Sequence, residues 1–95
     1  MATLIQDARL AVSLPDPAAR MAIRRSAHVS RERIAAELGC HVVTVTRWEQ
    51  GTRNPHGELR LRYAKLLHRL EEVVASAQQD ANDLVRDNDR GTAGT

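Results

Sequence analysis

Gly39 is the residue that most constrains what this chain can fold into. It follows an apolar run at helical spacing, Ile34, Ala35 and Leu38, at the point where a helix end favours a residue tolerant of positive φ. A helix therefore stops there. Ahead of it, Ser30 can accept a hydrogen bond from a first-turn amide and Glu32 complements the positive end of the helix dipole, although Arg33 stands where a capping box would carry Glu or Gln. Beyond Gly39, Val42, Val45 and Trp48 recur at helical spacing, and Gly51 supplies the next stop. Residues 30–51 thus read as two short helices joined by a tight turn. Isolated helices below about 12 to 15 residues are marginal in water, so this pair must bury Ile34, Leu38, Val45 and Trp48 together. Thr44, Thr46, Arg47 and Gln50 are then left outward.

This window resembles the helix-turn-helix of the phage repressor and Cro type, the XRE-like family. Ser30, Glu32, Ile34, Ala35, Leu38, Gly39, Thr44, Val45, Thr46, Arg47, Trp48, Glu49 and Gly51 all match the usual wording of that motif, in order and spacing. Cys40 departs from the usual Val, and His41 replaces the usual Ser or Thr cap, which weakens the start of the second helix. The resemblance covers residues 16–70. It implies an all-α, lambda repressor-like domain of about five helices, with a short N-terminal helix and a C-terminal helical extension added to the matched region.

Composition agrees with a small helical domain. Ninety-five residues support one domain of modest core and not a substrate-enclosing enzyme of ordinary size. Phe is absent and Trp48 and Tyr63 are the sole aromatic residues, so Leu, Ile, Val and Ala must build the core. The single cysteine, Cys40, excludes an internal disulfide, fits a reducing, cytoplasmic setting and reads as a small apolar residue in the turn. A site made of Cys40, His41 and His56 fits no usual zinc spacing, and no nucleophile–base–acid set or glycine-rich phosphate loop is present, so neither metal, cofactor nor catalysis is expected. No apolar run approaches the roughly 18 residues of a membrane span, and Asp7 and Arg9 interrupt the first apolar stretch.

The net charge of +2 conceals a polarised distribution. Residues 20–70 carry eleven basic side chains against four acidic ones, a net of +7, whereas residues 71–95 carry six acids and two arginines, a net of −4. A basic centre with an acidic tail is the footprint of a polyanion-binding domain with a solvated or partner-binding extension.

Flanking the motif, residues 3–14 form a short amphipathic helix with a packing role, on a face of either Leu4, Ala8 and Ala11 or Ile5, Ala8 and Val12. Asp16 and Pro17 suit the N-cap and first position of a helix over residues 17–28, with Ala18, Met21, Ala22 and Ile23 facing the motif and Arg20, Arg24 and Arg25 outward or along the rim. Residues 52–57 form a polar loop. From Glu58 to Asp89 there is no Gly or Pro, and Leu59, Tyr63, Leu66, Leu70, Val73, Ala77, Ala81 and Leu84 recur at steps of three or four. One or two helices lie there, divided into a DNA-binding domain over residues 1–70 and an acidic helical extension over 71–95 whose last residues fray from Asn88.

The resemblance assigns the chemistry. The second motif helix, residues 42–50, enters the major groove with Val42, Val43, Thr46 and Arg47 at base edges. Arg47 can donate two hydrogen bonds to a guanine or grip a phosphate instead. The valine methyls can meet thymine methyls, although one of the two valines has a place in the core as an alternative. Ser30, Arg31, Thr44 and Arg53 match phosphate-contacting positions; Arg60, Arg62 and Arg69 lie on a face that spacing alone leaves open. Glu49 pairs with an arginine of the first family helix, here Arg24, as a structural tie. The implied function is a sequence-specific double-stranded DNA-binding regulator, a small Cro-like repressor dimerising on its operator, with residues 58–87 as the candidate contact between copies and with no small-molecule ligand. An antitoxin-type protein whose acidic segment binds a protein partner is the alternative.

Overall fold

The computed structural model describes residues 2–93, with side chains over 3–81, and every described regular element is helical. The order is α1 (Ala2–Val12), α2 (Pro17–Ser26), α3 (Arg31–Leu38), α4 (Val42–Gln50) and α5 (Gly57–Ala93). None of these helices is long and apolar enough to cross a membrane.

Local chemistry sets the boundaries. Asp16 caps α2 by accepting from the Ala19 amide at 2.8 Å, with Pro17 in the first turn, and Ser30 caps α3 by accepting from the Arg33 amide at 3.1 Å. Gly39 closes α3 at φ +71°, and the Cys40 amide donates back to the Ala35 carbonyl at 3.0 Å. Gly51 closes α4 at φ +78°, where the Thr52 amide donates to the Arg47 carbonyl at 3.1 Å. His41 precedes α4 without a side-chain cap. α2 ends at Ser26, not at His28: His28 itself turns left-handed, at φ +58°, and its amide donates to the Arg25 carbonyl.

The core gathers Ile34, Ala35 and Leu38 of α3, Val45 and Trp48 of α4, and Tyr63 and Leu67 of α5. The Trp48 and Tyr63 rings meet at 4.8 Å between centroids, tilted by 37°. Pro55 is fully buried, which pins the loop between α4 and α5. Residues 57–93 form one helix of 37 residues, continuing past Asn88, farther than the composition of the terminus suggests.

Two flanking helices differ from their sequence-predicted orientation. In α2, Arg20 and Arg24 point inward and are 5% and 8% exposed, whereas Ala18 and Ala22 face out. The inward face offers acceptors that only long donors can satisfy: Arg20 Nε donates to the Pro15 carbonyl at 2.6 Å and Nη1 to the Trp48 carbonyl at 3.0 Å. α1 packs on α5 by polar contacts, with Lys65 Nζ 3.1 Å from Asp7 and Arg60 Nε donating to the Ala11 carbonyl at 2.7 Å. Its apolar side chains Leu4, Ile5 and Val12 stay exposed.

Candidate nucleic-acid interface

α4 is built with two opposite faces. Val45, Trp48 and Glu49 are buried, while Val43, Arg47 and Gln50 stand exposed on the other side. Val42 is half-buried and packs against the core, so it, rather than Val43, takes the core place left open between the two valines. Val43, 54% exposed, presents methyls at the first turn of the helix. Thr46 is also half-buried, and its hydroxyl donates to the Val42 carbonyl at 3.0 Å, leaving the oxygen lone pairs to face outward chemistry.

Glu49 anchors α4 to its neighbours. Its carboxylate accepts from Arg24 Nε at 2.6 Å and from Arg24 Nη2 at 3.0 Å, a two-pronged pairing across buried surface. It also accepts from Arg31 Nε at 3.0 Å. Burial alone would raise the Glu49 carboxyl, but the hydrogen bonds from Arg24 and Arg31 outweigh it and hold the group below its ordinary value. The hydrogen bonding that Arg24 donates to Glu49 likewise raises Arg24 above its ordinary value, against the cost of burial. Arg24 further donates from Nη1 to the Val29 carbonyl at 3.0 Å, which ties α2, the α2–α3 link and α4 into one unit.

Arg31 therefore sits on a carboxylate, with about a third of its side chain exposed, rather than reaching freely outward. One donor is engaged, and the planar guanidinium has others to offer. Ser30 is used as the α3 cap, so its hydroxyl already accepts from an amide; the remaining amides of that first turn have no carbonyl partner within the helix. Thr44, Arg47 and Arg53 line a single open hollow of about 310 Å³ together with His56. His56 was not singled out in the sequence for this role; its proximity to Arg53 in the polar loop was the only signal. Burial pushes the Cys40 thiol up, consistent with an apolar filler in the turn.

Chemically, the described face offers apolar methyls and a bidentate donor on one helix, and cations with helix-terminal amides beside it. That is the donor and apolar inventory a DNA groove and its phosphates can use. A family model described as helix-turn-helix matches residues 21–72. No curated protein and no solved structure matches the chain. With more than half of its length inside that match, and with its paired short helices closed by Gly39 and Gly51, the chain belongs to the helix-turn-helix family of DNA-binding regulators of the phage repressor (XRE) type.

Proposed function

We propose that this protein is a sequence-specific repressor of the Cro kind that reads the major groove with α4 and binds its operator as a homodimer. The observation that carries the reading is the division of α4: Val45, Trp48 and Glu49 lock it into the domain while Val43 and Arg47 stand free of the core at its outer face. Val43, the exposed part of Val42, Thr46 and Arg47 meet base edges; Arg47 carries the principal discrimination, worth about 1 to 3 kcal/mol for a bidentate contact to guanine. Ser30, Arg31, Thr44 and Arg53 meet phosphates and fix the register of α4 on the duplex. A single module of this size buries about 600 to 1,000 Å² on DNA, so two copies on half-sites one helical turn apart supply the affinity of a regulator.

The test is selection of bound duplexes from a random library at two salt concentrations, with wild type beside R47A and R31A. An inverted repeat enriched by wild type, lost with R47A and retained but weaker with R31A, is the expected result. Each lost phosphate contact should also reduce the log–log salt slope by about 0.9. Equal losses on selected and random DNA for both variants would remove the division of roles. No enrichment at all would remove sequence-specific reading.

A further inference from the structure

The loop that leaves α4 delivers a histidine to the face that α4 presents. Pro55 is fully buried, so the residue after it is held in place, and the His56 carbonyl accepts from the Arg60 amide at 3.2 Å as α5 begins. His56 is exposed and lines the open hollow of about 310 Å³ with Thr44, Arg47 and Arg53. Pro55 and Leu59 supply apolar wall.

Every ionisable side chain lining this hollow is a cation or can become one. Arg47 comes from α4, and Arg53 and His56 come from the loop. The acids of the neighbouring elements are placed elsewhere: Glu49 of α4 is buried on Arg24 and Arg31, and Glu58, exposed in the first turn of α5, stands outside the lining. Arg60 of α5 is committed to the Ala11 carbonyl. Among the described residues no carboxylate answers these charges within the hollow, and the chemistry that does is a phosphate. Unlike the arginines, an imidazole changes charge near neutrality, ordinarily at about pH 6.5.

We propose that His56 is a further phosphate contact of the DNA interface, and a titratable one: its protonated ring donates to a duplex phosphate seated in the hollow beside Arg53 and Thr44, so that binding takes up a proton. This rests on the DNA-binding reading of the α4 face but not on operator reading, since a phosphate contact carries no base information. A phosphate against the ring stabilises the charged form, so the bound protein keeps this proton to higher pH than the free one. Affinity therefore rises as pH falls through the bound value and levels off below the free one. With the ring charged, the interface neutralises one more phosphate and releases its counterion. The strength of DNA binding then follows the acidity of the medium, while the base-facing side chains of α4 stay as they are.

Titration of a mixed-sequence duplex of about 20 base pairs, long enough for two half-sites one turn apart, tests this on the full chain at about pH 8 and about pH 6 over a salt series. Wild type should bind about tenfold more tightly at the lower pH, and its log–log salt slope should steepen by about 0.9. H56Q should lack this gain and bind at both values as wild type does at the higher one. H56R should bind tightly at both, with the steeper slope throughout. His56 holds α5 through its main chain, which both substitutions keep, and circular dichroism checks that each variant is folded. H68Q, whose ring lies 3.0 Å from Glu72, is the control and should respond as wild type does. His28 and His41 are exposed too, so the difference between wild type and H56Q, rather than the pH response alone, is the readout. A response in H56Q equal to that of wild type, a wild type indifferent to pH, or an H56R no tighter than H56Q would overturn the inference. Binding to no duplex at either pH would overturn it together with the proposed function. Sequence-blind binding that keeps the difference between wild type and H56Q would remove operator reading alone and uphold the contact.

Discussion

Arg20 and Trp48, twenty-eight positions apart, are joined by a hydrogen bond of 3.0 Å from the guanidinium to the main-chain oxygen. The Trp48 carbonyl belongs to the last turn of α4, where oxygens have no partner within their own helix. Arg20 supplies one from another helix and at the same time holds the Pro15 carbonyl at 2.6 Å. One side chain thereby fixes the end of α4 to the entry of α2.

R20M should therefore destabilise the domain by about 2 to 4 kcal/mol, since it keeps the apolar stem but leaves two carbonyls short of a donor. R20K should recover only part of this, because an ammonium lacks the fork that spans both acceptors. Denaturant unfolding of the three proteins gives the comparison, and equal stability of R20M and wild type would contradict it.

Glu49 predicts the acid limb of the stability curve. Its carboxyl is held below its ordinary value when folded, so its contribution is fully present above the unfolded value, 4.5, and is lost as pH falls through the lower folded one. Thermal unfolding of wild type should show this loss below about pH 4.5, and E49Q should show a flatter acid limb. At neutral pH, E49A should lose about 3 to 5 kcal/mol, because it strands the buried Arg24 charge.

Tyr63 carries a buried hydroxyl without a hydrogen-bond partner among the described residues, and burial pushes its pKa up to about 12. Y63F should be neutral or stabilising by up to about 1 kcal/mol near neutral pH, since it removes a desolvated polar atom and keeps the ring against Trp48. The raised value means that the unfolded chain releases this proton first, so wild-type stability should fall as pH rises from 10 towards 12. That particular decline should be missing from Y63F in alkaline denaturation.

Gly39 and Gly51 share a left-handed backbone but not a neighbourhood. A Cβ at Gly39 meets nothing within 4 Å, whereas one at Gly51 would lie 3.2 Å from Pro17 Cγ. G39A should cost about 1 kcal/mol of left-handed strain, and G51A should cost measurably more as the ring of Pro17 is pushed away. Matching melting temperatures for the two variants would contradict the difference.

The two glycine stops, the Ser30 and Asp16 caps and the buried set of Ile34, Leu38, Val45 and Trp48 were legible in the sequence because each is local chemistry or simple periodicity. Arg20 was not. Periodicity counts arginine as polar and turns it outward, and nothing near position 20 discloses a carbonyl waiting on a helix twenty-eight residues away. The meeting of Arg24 with Glu49 was reached through family resemblance, since no spacing rule links those positions. The sharing of Glu49 with Arg31 escaped even that, because it depends on how the start of α3 lies over the end of α4. Val42 and Val43 could not be separated by type; only the rotation of α4 about its axis decides which of them is half-buried.

The unbroken course of α5 has a mechanical consequence. Tyr63 sits near its base, under Trp48, and some thirty residues of continuous helix follow to Ala93, a reach of about 45 Å at 1.5 Å per residue. Without a hinge in between, a tilt of about 5° where the two rings touch would swing the far end by about 4 Å, by that same length. With no break in the helix to absorb it, a small change in how α5 seats on the domain is thus magnified at its far end.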